Sequence, residues 1–234
     1  VDFKPTAGHK YIFDSAKGAS CEDSVNIAVM SGNFTQRGIP ACLDKFTRAE
    51  CALSCGADVV LELPFCYATG SAEYFAEGAV TILDKLGCVD SLCFGTEADV
   101  PITLYTETAA FLCEEPADYK MTLQEGLRAG LTFPQARLAA VRPHLSTKAL
   151  ALLESPNALL GLEYCKALYR RKSSITPHTV TRVGSGYHDN AVVSEGFSSA
   201  TALRTLLTPG TEFPPHFLSE LPKSCAVLLS DKAY

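Results

Sequence analysis

The amino-acid sequence predicts an α/β fold, a doubly wound parallel sheet with an additional, mostly helical segment. Three short apolar runs, at 25–30, 58–63 and 91–94, are typical of buried strands. Two segments with helical spacing of apolar residues, 43–55 and 70–86, separate these runs. Strands that alternate with helices in this way pair in parallel, with helices covering both faces of the sheet.

Start and stop signals place the remaining elements. Gly56 and Gly87 directly follow the two helical segments, as is typical of helix C-termini. Helical spacing continues through 101–142, and Ser155 followed by Pro156 predicts the start of another helix. These signals divide the chain into an α/β core, a helical region, and a returning segment that opens with a strand at 178–183. The predicted boundaries are 1–100, 101–172 and 173–234.

Composition excludes several classes of function. The 234 residues carry a net charge of −6, which does not indicate a general nucleic-acid-binding protein. No apolar run approaches the roughly 18 residues of a membrane span, and no signal peptide is visible, so we expect a cytoplasmic protein without membrane contact. The ten cysteines form no C-x-x-C pair, which favours small buried side chains over zinc ligands or disulfides.

The N-terminal segment holds the first candidate for chemistry. Pro5, Thr6, Gly8 and His9 precede or begin a predicted helix. Free N–H groups at a helix start attract phosphate, and an imidazole there can donate to phosphoryl oxygens as negative charge develops. The alternative is an ordinary helix cap.

A second candidate phosphate site follows the predicted strand at 178–183. Ser199, Thr201 and Arg204 lie at a predicted helix start, where N–H groups, hydroxyls and a guanidinium converge. The alternative is a serine-capped amphipathic helix with an exposed arginine. If both sites hold one polyphosphate, Arg204 lies close to His9.

Other polar residues have open roles. Glu62 is a charge inside an apolar run, and it either ends the strand in water or points into a site. The polar loop after the first apolar run offers three candidate ligand contacts, Asn33, Gln36 and Arg37. The alternative is that they are ordinary polar residues of a turn. The roles of four further basic positions are left open: Lys45, Arg48, and the cluster of Lys166 and Arg170 with Arg171 and Lys172. For that cluster, a solvated helix end is the favoured interpretation.

Several long motifs occur together in one order. They read SGNFTQRGIPA, ELPFCYATGSAEYFA, LGCVDSLCFGTE, SPNALLGLEYCKAL, VGSGYHD and FSSATALR. In this combination the chain resembles the bacterial tRNA(Met) cytidine acetate ligases, members of the HxGH-type nucleotidyltransferase superfamily with a Rossmann-like fold. The resemblance covers most of 1–214.

The resemblance implies an ATP-dependent ligation. Acetate would attack the α-phosphorus of ATP, with Mg²⁺, to give acetyl-adenylate, and the wobble cytidine of elongator tRNA(Met) would take the acetyl group to become N4-acetylcytidine. His9, Thr6 and Arg204 would be catalytic. The residues that the resemblance assigns to nucleotide binding are Phe3, Pro5, Gly8, His9, Gly95, Asn157, Arg182, Val183, Ser199, Thr201 and Arg204.

The chain departs from the family pattern in two places. Where the family has two histidines in its phosphate loop, this chain reads K-P-T-A-G-H, with Thr6 in place of the first histidine. The family also continues with a further C-terminal region. Two alternatives therefore stay open: an adenylyltransferase that acts on a small phosphorylated acceptor, and a truncated relative that binds nucleotide without catalysis.

Overall fold

The computed structural model describes residues 7–19, 24–36, 38–96, 100–181, 212–219 and 221–230. The helices are α1 Ala7–Ala19, α2 Lys45–Ser54, α3 Phe65–Ala68, α4 Ala72–Leu86, α5 Ile102–Glu114, α6 Ala117–Arg128, α7 Phe133–Val141, α8 Thr147–Glu154, α9 Pro156–Arg171, α10 Pro215–Ser219 and α11 Lys223–Ser230. The strands are β1 Ile27–Ser31, β2 Val59–Leu63, β3 Ser91–Thr96 and β4 Thr176–Thr181.

The chain divides into two compact units. The first contains Val1–Ala79 and Val180–Tyr234, and the second contains Val80–Thr179. The division into 1–100, 101–172 and 173–234 remains a prediction.

In the first unit, β1 and β2 pair in parallel. Their register matches Ile27 with Val59 and Ser31 with Leu63, so both strands end at the same level. This pairing confirms the predicted α/β class with parallel strands. It also places the loops that follow Ser31 and Leu63 side by side at the carboxyl edge, where open α/β sheets bind their ligands.

The core of the first unit lies between the β1–β2 pair and three helices, α2, α10 and α11. Cys51 of α2 and Cys55, which directly follows α2, meet Cys225 of α11, and the Cys55 and Cys225 sulfurs lie 3.2 Å apart. All three thiols are buried, whereas Cys66 and Cys88 are exposed. The other buried members of this core are Ala28, Met30, Ala52, Ala57, Phe213, Phe217, Leu221 and Leu229.

In the second unit, helices surround β3. Gly161 of α9 has no Cβ, and the Phe94 ring occupies the space where one would stand. Phe94 also contacts Tyr105 of α5 and Tyr164 of α9, with ring centroids 5.4 and 5.9 Å apart. These contacts bury the middle of β3 against the helical layer. The partner of β3 is β4, a pairing of distant segments that the sequence did not specify.

The predicted helix boundaries are confirmed where local signals are strong. Ser71 accepts a hydrogen bond from the Tyr74 amide at 3.4 Å, as an N-cap does. Gly87 has φ +68° directly after α4, a conformation that favours glycine. Pro156 opens α9, where its missing N–H has no cost. None of the helices within the described ranges has the length and apolar character needed to cross a membrane.

Candidate functional site

His9 lies in the first turn of α1 and is half-buried. Further along α1, the Phe13 carbonyl accepts a hydrogen bond from the Asn26 side chain at 3.3 Å. Helix carbonyls point toward the helix C-terminus, and Asn26 directly precedes β1. This hydrogen bond connects the middle of α1 to the residue that precedes β1. Gly8 also lies in α1, whereas Phe3, Pro5 and Thr6 lie outside the described residues.

Arg48 anchors the loop at the carboxyl end of β1. Its guanidinium donates to the Gly32 carbonyl at 2.6 Å and to the Ser31 carbonyl at 2.8 Å. The Ser31 hydroxyl lies 3.3 Å from the same guanidinium. Arg48 is 3% exposed, so these charge-assisted bonds form away from water, where they are strongest. Arg48 thus fixes the backbone at the point where β1 ends.

Asn33 connects the same loop to α2. Its Oδ1 accepts from the Lys45 amide at 3.0 Å. Asp44, the residue before α2, accepts from the Phe46 and Thr47 amides at 2.9 and 3.0 Å. Together they satisfy three of the N–H groups that a helix start leaves unpaired. Asn33 therefore has a structural role at this edge, and Arg37 lies outside the described residues.

Glu62 extends over Gly32 from the neighbouring strand. The Glu62 Oε1 atom stands close to where a Cβ on Gly32 would be, so a side chain at position 32 would displace the carboxylate. The Oε2 atom is 2.7 Å from the Lys45 ammonium. About half of the Glu62 side chain is exposed. The sequence left two possibilities for Glu62: an end of the strand in water, or a side chain that points into a site. In the structure the carboxylate is held at the carboxyl edge, beside the Ser31–Gly32 loop.

Two aromatic side chains follow the two strands. Phe34 comes after β1 and Phe65 after β2, and their rings meet edge to face with centroids 5.5 Å apart. Phe65 is 63% exposed and Phe34 is 40% exposed. A short hairpin carries Phe34, since Thr35 and Ile39 are bonded across it at 2.9 Å. Sequence reasoning missed this pair, although both residues lie within a few positions after predicted strands.

Two predicted nucleotide contacts belong to the second unit. Gly95 is half-buried in β3, and Asn157 lies in the first turn of α9. The other predicted contacts lie outside the described residues: Arg182, Val183, Ser199, Thr201 and Arg204. The proximity of Arg204 to His9 therefore stays a prediction. Within the described ranges, no three His, Cys, Asp or Glu side chains form a group that could hold a metal ion.

The basic cluster of α9 is not simply a solvated helix end. Lys166 is buried and donates to Glu163 Oε2 at 2.6 Å, and Arg137 of α7 lies 4.0 Å from the other oxygen of Glu163. Arg171 pairs with Asp84 of α4 at 3.1 Å. A hydrogen bond from Ser173 and the nearby Arg171 charge hold the pKa of Asp84 below its ordinary value. Lys166 and Arg171 thus stabilise the second unit through these ion pairs.

Comparison with known proteins agrees with this architecture. A family model described as HIGH Nucleotidyl Transferase matches residues 5–234. A protein of Acetivibrio thermocellus named tRNA(Met) cytidine acetate ligase is 42% identical over an alignment of 238 residues, which covers 99% of this chain and 56% of that protein. A protein of the same name from Clostridium novyi is 42% identical over 200 residues, 85% of this chain and 49% of that protein.

Solved structures give the same result. Crystal structures of Thermotoga maritima TmcAL, in an apo form and bound with alpha-thio ATP, match with TM-scores of 0.86 and 0.83 at 40% identity. Each match covers 96% of this chain, and it covers 53% and 52% of the respective TmcAL chains. The chain thus spans about half the length of the relatives that it matches.

Proposed function

Because the chain belongs to the HIGH nucleotidyl transferase family, we propose that it activates acetate with ATP and acetylates the wobble cytidine of elongator tRNA(Met) in the cytoplasm. The observation that supports this most strongly is the match, at about 40% identity, to proteins named tRNA(Met) cytidine acetate ligase. The solved relative bound with alpha-thio ATP supports ATP as the activating nucleotide.

The first step of the proposed reaction is adenylation. An acetate oxygen attacks the α-phosphorus of ATP, the bond to the β-phosphate oxygen breaks, and pyrophosphate leaves. His9, at the start of α1, donates to the phosphoryl oxygens as their charge increases. Thr6, three residues before His9 in the sequence, is proposed to be catalytic as well. Mg²⁺ enters with ATP, whose phosphate oxygens are the ligands that it prefers.

The other nucleotide contacts keep their proposed roles. Ser199, Thr201 and Arg204 hold the β- and γ-phosphates, so that pyrophosphate departs in line with the attacking carboxylate. The further proposed nucleotide contacts are Phe3, Pro5, Gly8, Gly95, Asn157, Arg182 and Val183.

Acetate-dependent exchange of labelled pyrophosphate into ATP tests the adenylation step. We expect exchange with the wild-type chain and a loss of roughly 10²-fold in His9→Ala, because a transition-state donor is removed. His178→Ala, which replaces an exposed histidine on β4, is the control and should retain exchange. Exchange that needs a small phosphorylated acceptor instead of acetate would support the alternative adenylyltransferase. No exchange with either would support a nucleotide-binding relative without catalysis.

A further inference from the structure

Glu62 has a position that its contacts within the protein do not explain. It is the next-to-last residue of β2, where its neighbours along the strand are apolar. An exposed ion pair such as that with Lys45 contributes little to stability, typically about 0–1 kcal/mol. The Glu62 Oε1 atom nevertheless lies over Gly32, close to where a Cβ of residue 32 would stand, at the edge of the sheet where α/β folds bind ligands. A carboxylate that is oriented at this edge and adds little to stability is a candidate for ligand binding.

The carboxylate has one oxygen available. Lys45 binds Oε2 and orients the group, whereas Oε1 has no hydrogen-bond partner among the residues that the structure describes. Half of the side chain is open to solvent. Glu62 thus presents one oriented acceptor at the carboxyl edge of the β1–β2 pair.

An aromatic surface flanks this acceptor. Phe65 lies three residues after Glu62, and Phe34 lies two residues after Gly32. Both rings are exposed, although their edge-to-face contact holds them in place. Exposed aromatic rings in a fixed orientation are the surfaces on which unpaired nucleobases stack in single-stranded RNA.

The two features together favour cytosine over uracil. A carboxylate accepts a hydrogen bond from the exocyclic amine of cytosine, whereas uracil presents only a carbonyl oxygen at that position. Stacking does not discriminate among bases, and the purines also carry amines, so cytosine is the occupant because the proposed function acts on a cytidine. An unstacked cytosine of an RNA loop fits an aromatic surface beside an oriented carboxylate.

We propose that Glu62 binds the exocyclic amine of the target cytosine while the Phe34–Phe65 pair stacks on its ring. This inference rests on the proposed function. In the transfer step, the amine nitrogen forms a bond to the acetyl carbonyl carbon of acetyl-adenylate. The carbon–oxygen bond to AMP breaks, AMP leaves with the electron pair, and the amine proton passes to the Glu62 carboxylate and then to water. Glu62 thus recognises the base and accepts its proton.

Binding of RNA tests the recognition. The probes are two anticodon stem-loops of elongator tRNA(Met) that differ only in cytidine or uridine at the wobble position. We expect the wild-type chain to prefer the cytidine form roughly tenfold. Glu62→Gln should lose this preference, Glu62→Asp should retain part of it, and Glu125→Gln, at an exposed position on α6, should leave it unchanged. Equal binding of both RNAs by the wild type, or a preference that survives in Glu62→Gln, would overturn the proposal.

Kinetics separate this proposal from the proposed function. We expect Glu62→Gln to lower kcat of acetyl transfer at least tenfold more than it lowers acetate-dependent pyrophosphate exchange. Phe65→Leu should mainly raise KM for the RNA, whereas Tyr74→Leu, at a similarly exposed position on α4, should not. If the wild type shows no exchange, the proposed function fails. If it shows exchange and transfer but Glu62→Gln lowers both equally, only the cytosine site fails.

Discussion

The Arg48 guanidinium donates to the Gly32 carbonyl oxygen at 2.6 Å and so ties α2 to the backbone that leaves β1. A second bond to the Ser31 carbonyl uses the other terminal nitrogen of the same planar group. Lysine cannot make both bonds with this geometry, since its ammonium is a single point of charge. Gly32 lies under Glu62, so the backbone that Arg48 holds is also the backbone beside that carboxylate.

Replacing Arg48 should therefore destabilise the fold. Arg48→Met leaves two buried carbonyl groups without this donor, and we expect a loss of about 2–4 kcal/mol in the free energy of unfolding. Urea denaturation measures it, with Arg128→Met, at an exposed position on α6, as the control. A loss below about 0.5 kcal/mol, the range of ordinary surface substitutions, would contradict the assigned role.

Lys166 and Glu163 form a buried pair, which predicts a strongly non-additive effect. Lys166→Met leaves the Glu163 carboxylate buried with only Arg137, 4.0 Å away, and we expect a loss of about 3 kcal/mol. Adding Glu163→Gln removes the stranded charge, so the double variant should recover more than half of that loss. Thermal or urea unfolding of the two single variants and the double variant measures the coupling. Additive losses would show that the pair is not coupled.

The interaction of Asp84 with Ser173 and Arg171 predicts a dependence of stability on acid pH. The pKa of Asp84 is lower in the folded chain than its ordinary value of 3.8. The folded state therefore binds this proton less readily than the unfolded state does, and the contribution to stability is complete above pH 3.8. It decreases as the pH falls through the lower pKa of the folded state.

The difference in unfolding free energy between the wild type and Asp84→Asn should follow that dependence. We expect it to be constant near neutral pH and to shrink in strong acid, as measured by urea unfolding at several pH values. Glu107→Gln, at an exposed position on α5, provides the control for removal of one charge. A difference that stays unchanged from neutral pH into strong acid would contradict the interaction.

Sequence predicted the features that depend on local chemistry. Gly87 and Pro156 are positions where backbone conformation alone decides the residue type, so the ends of α4 and α9 could be found. The parallel pairing of β1 and β2 followed from the apolar runs and the helix between them. The local sequence also predicted that His9 lies at the start of a helix, and α1 begins at Ala7.

Contacts between distant residues could not be predicted in the same way. Alternation over 178–183 predicts a strand there, but it does not identify β3 as the partner of that strand. Lysine is exposed in most proteins, so nothing in the sequence indicated that Lys166 turns inward to Glu163. The place of Glu62 depends on Gly32, thirty residues earlier, and only the register of β1 against β2 brings the two together.

The central claim is that this chain acetylates a cytidine in RNA at the expense of ATP. Mass spectrometry of nucleosides from elongator tRNA(Met), after incubation with the protein, ATP and acetate, tests it most directly. We expect N4-acetylcytidine that requires both ATP and acetate and that falls at least roughly 10²-fold with His9→Ala. Unmodified cytidine under conditions where the relative from Acetivibrio thermocellus acetylates the same tRNA would contradict the claim.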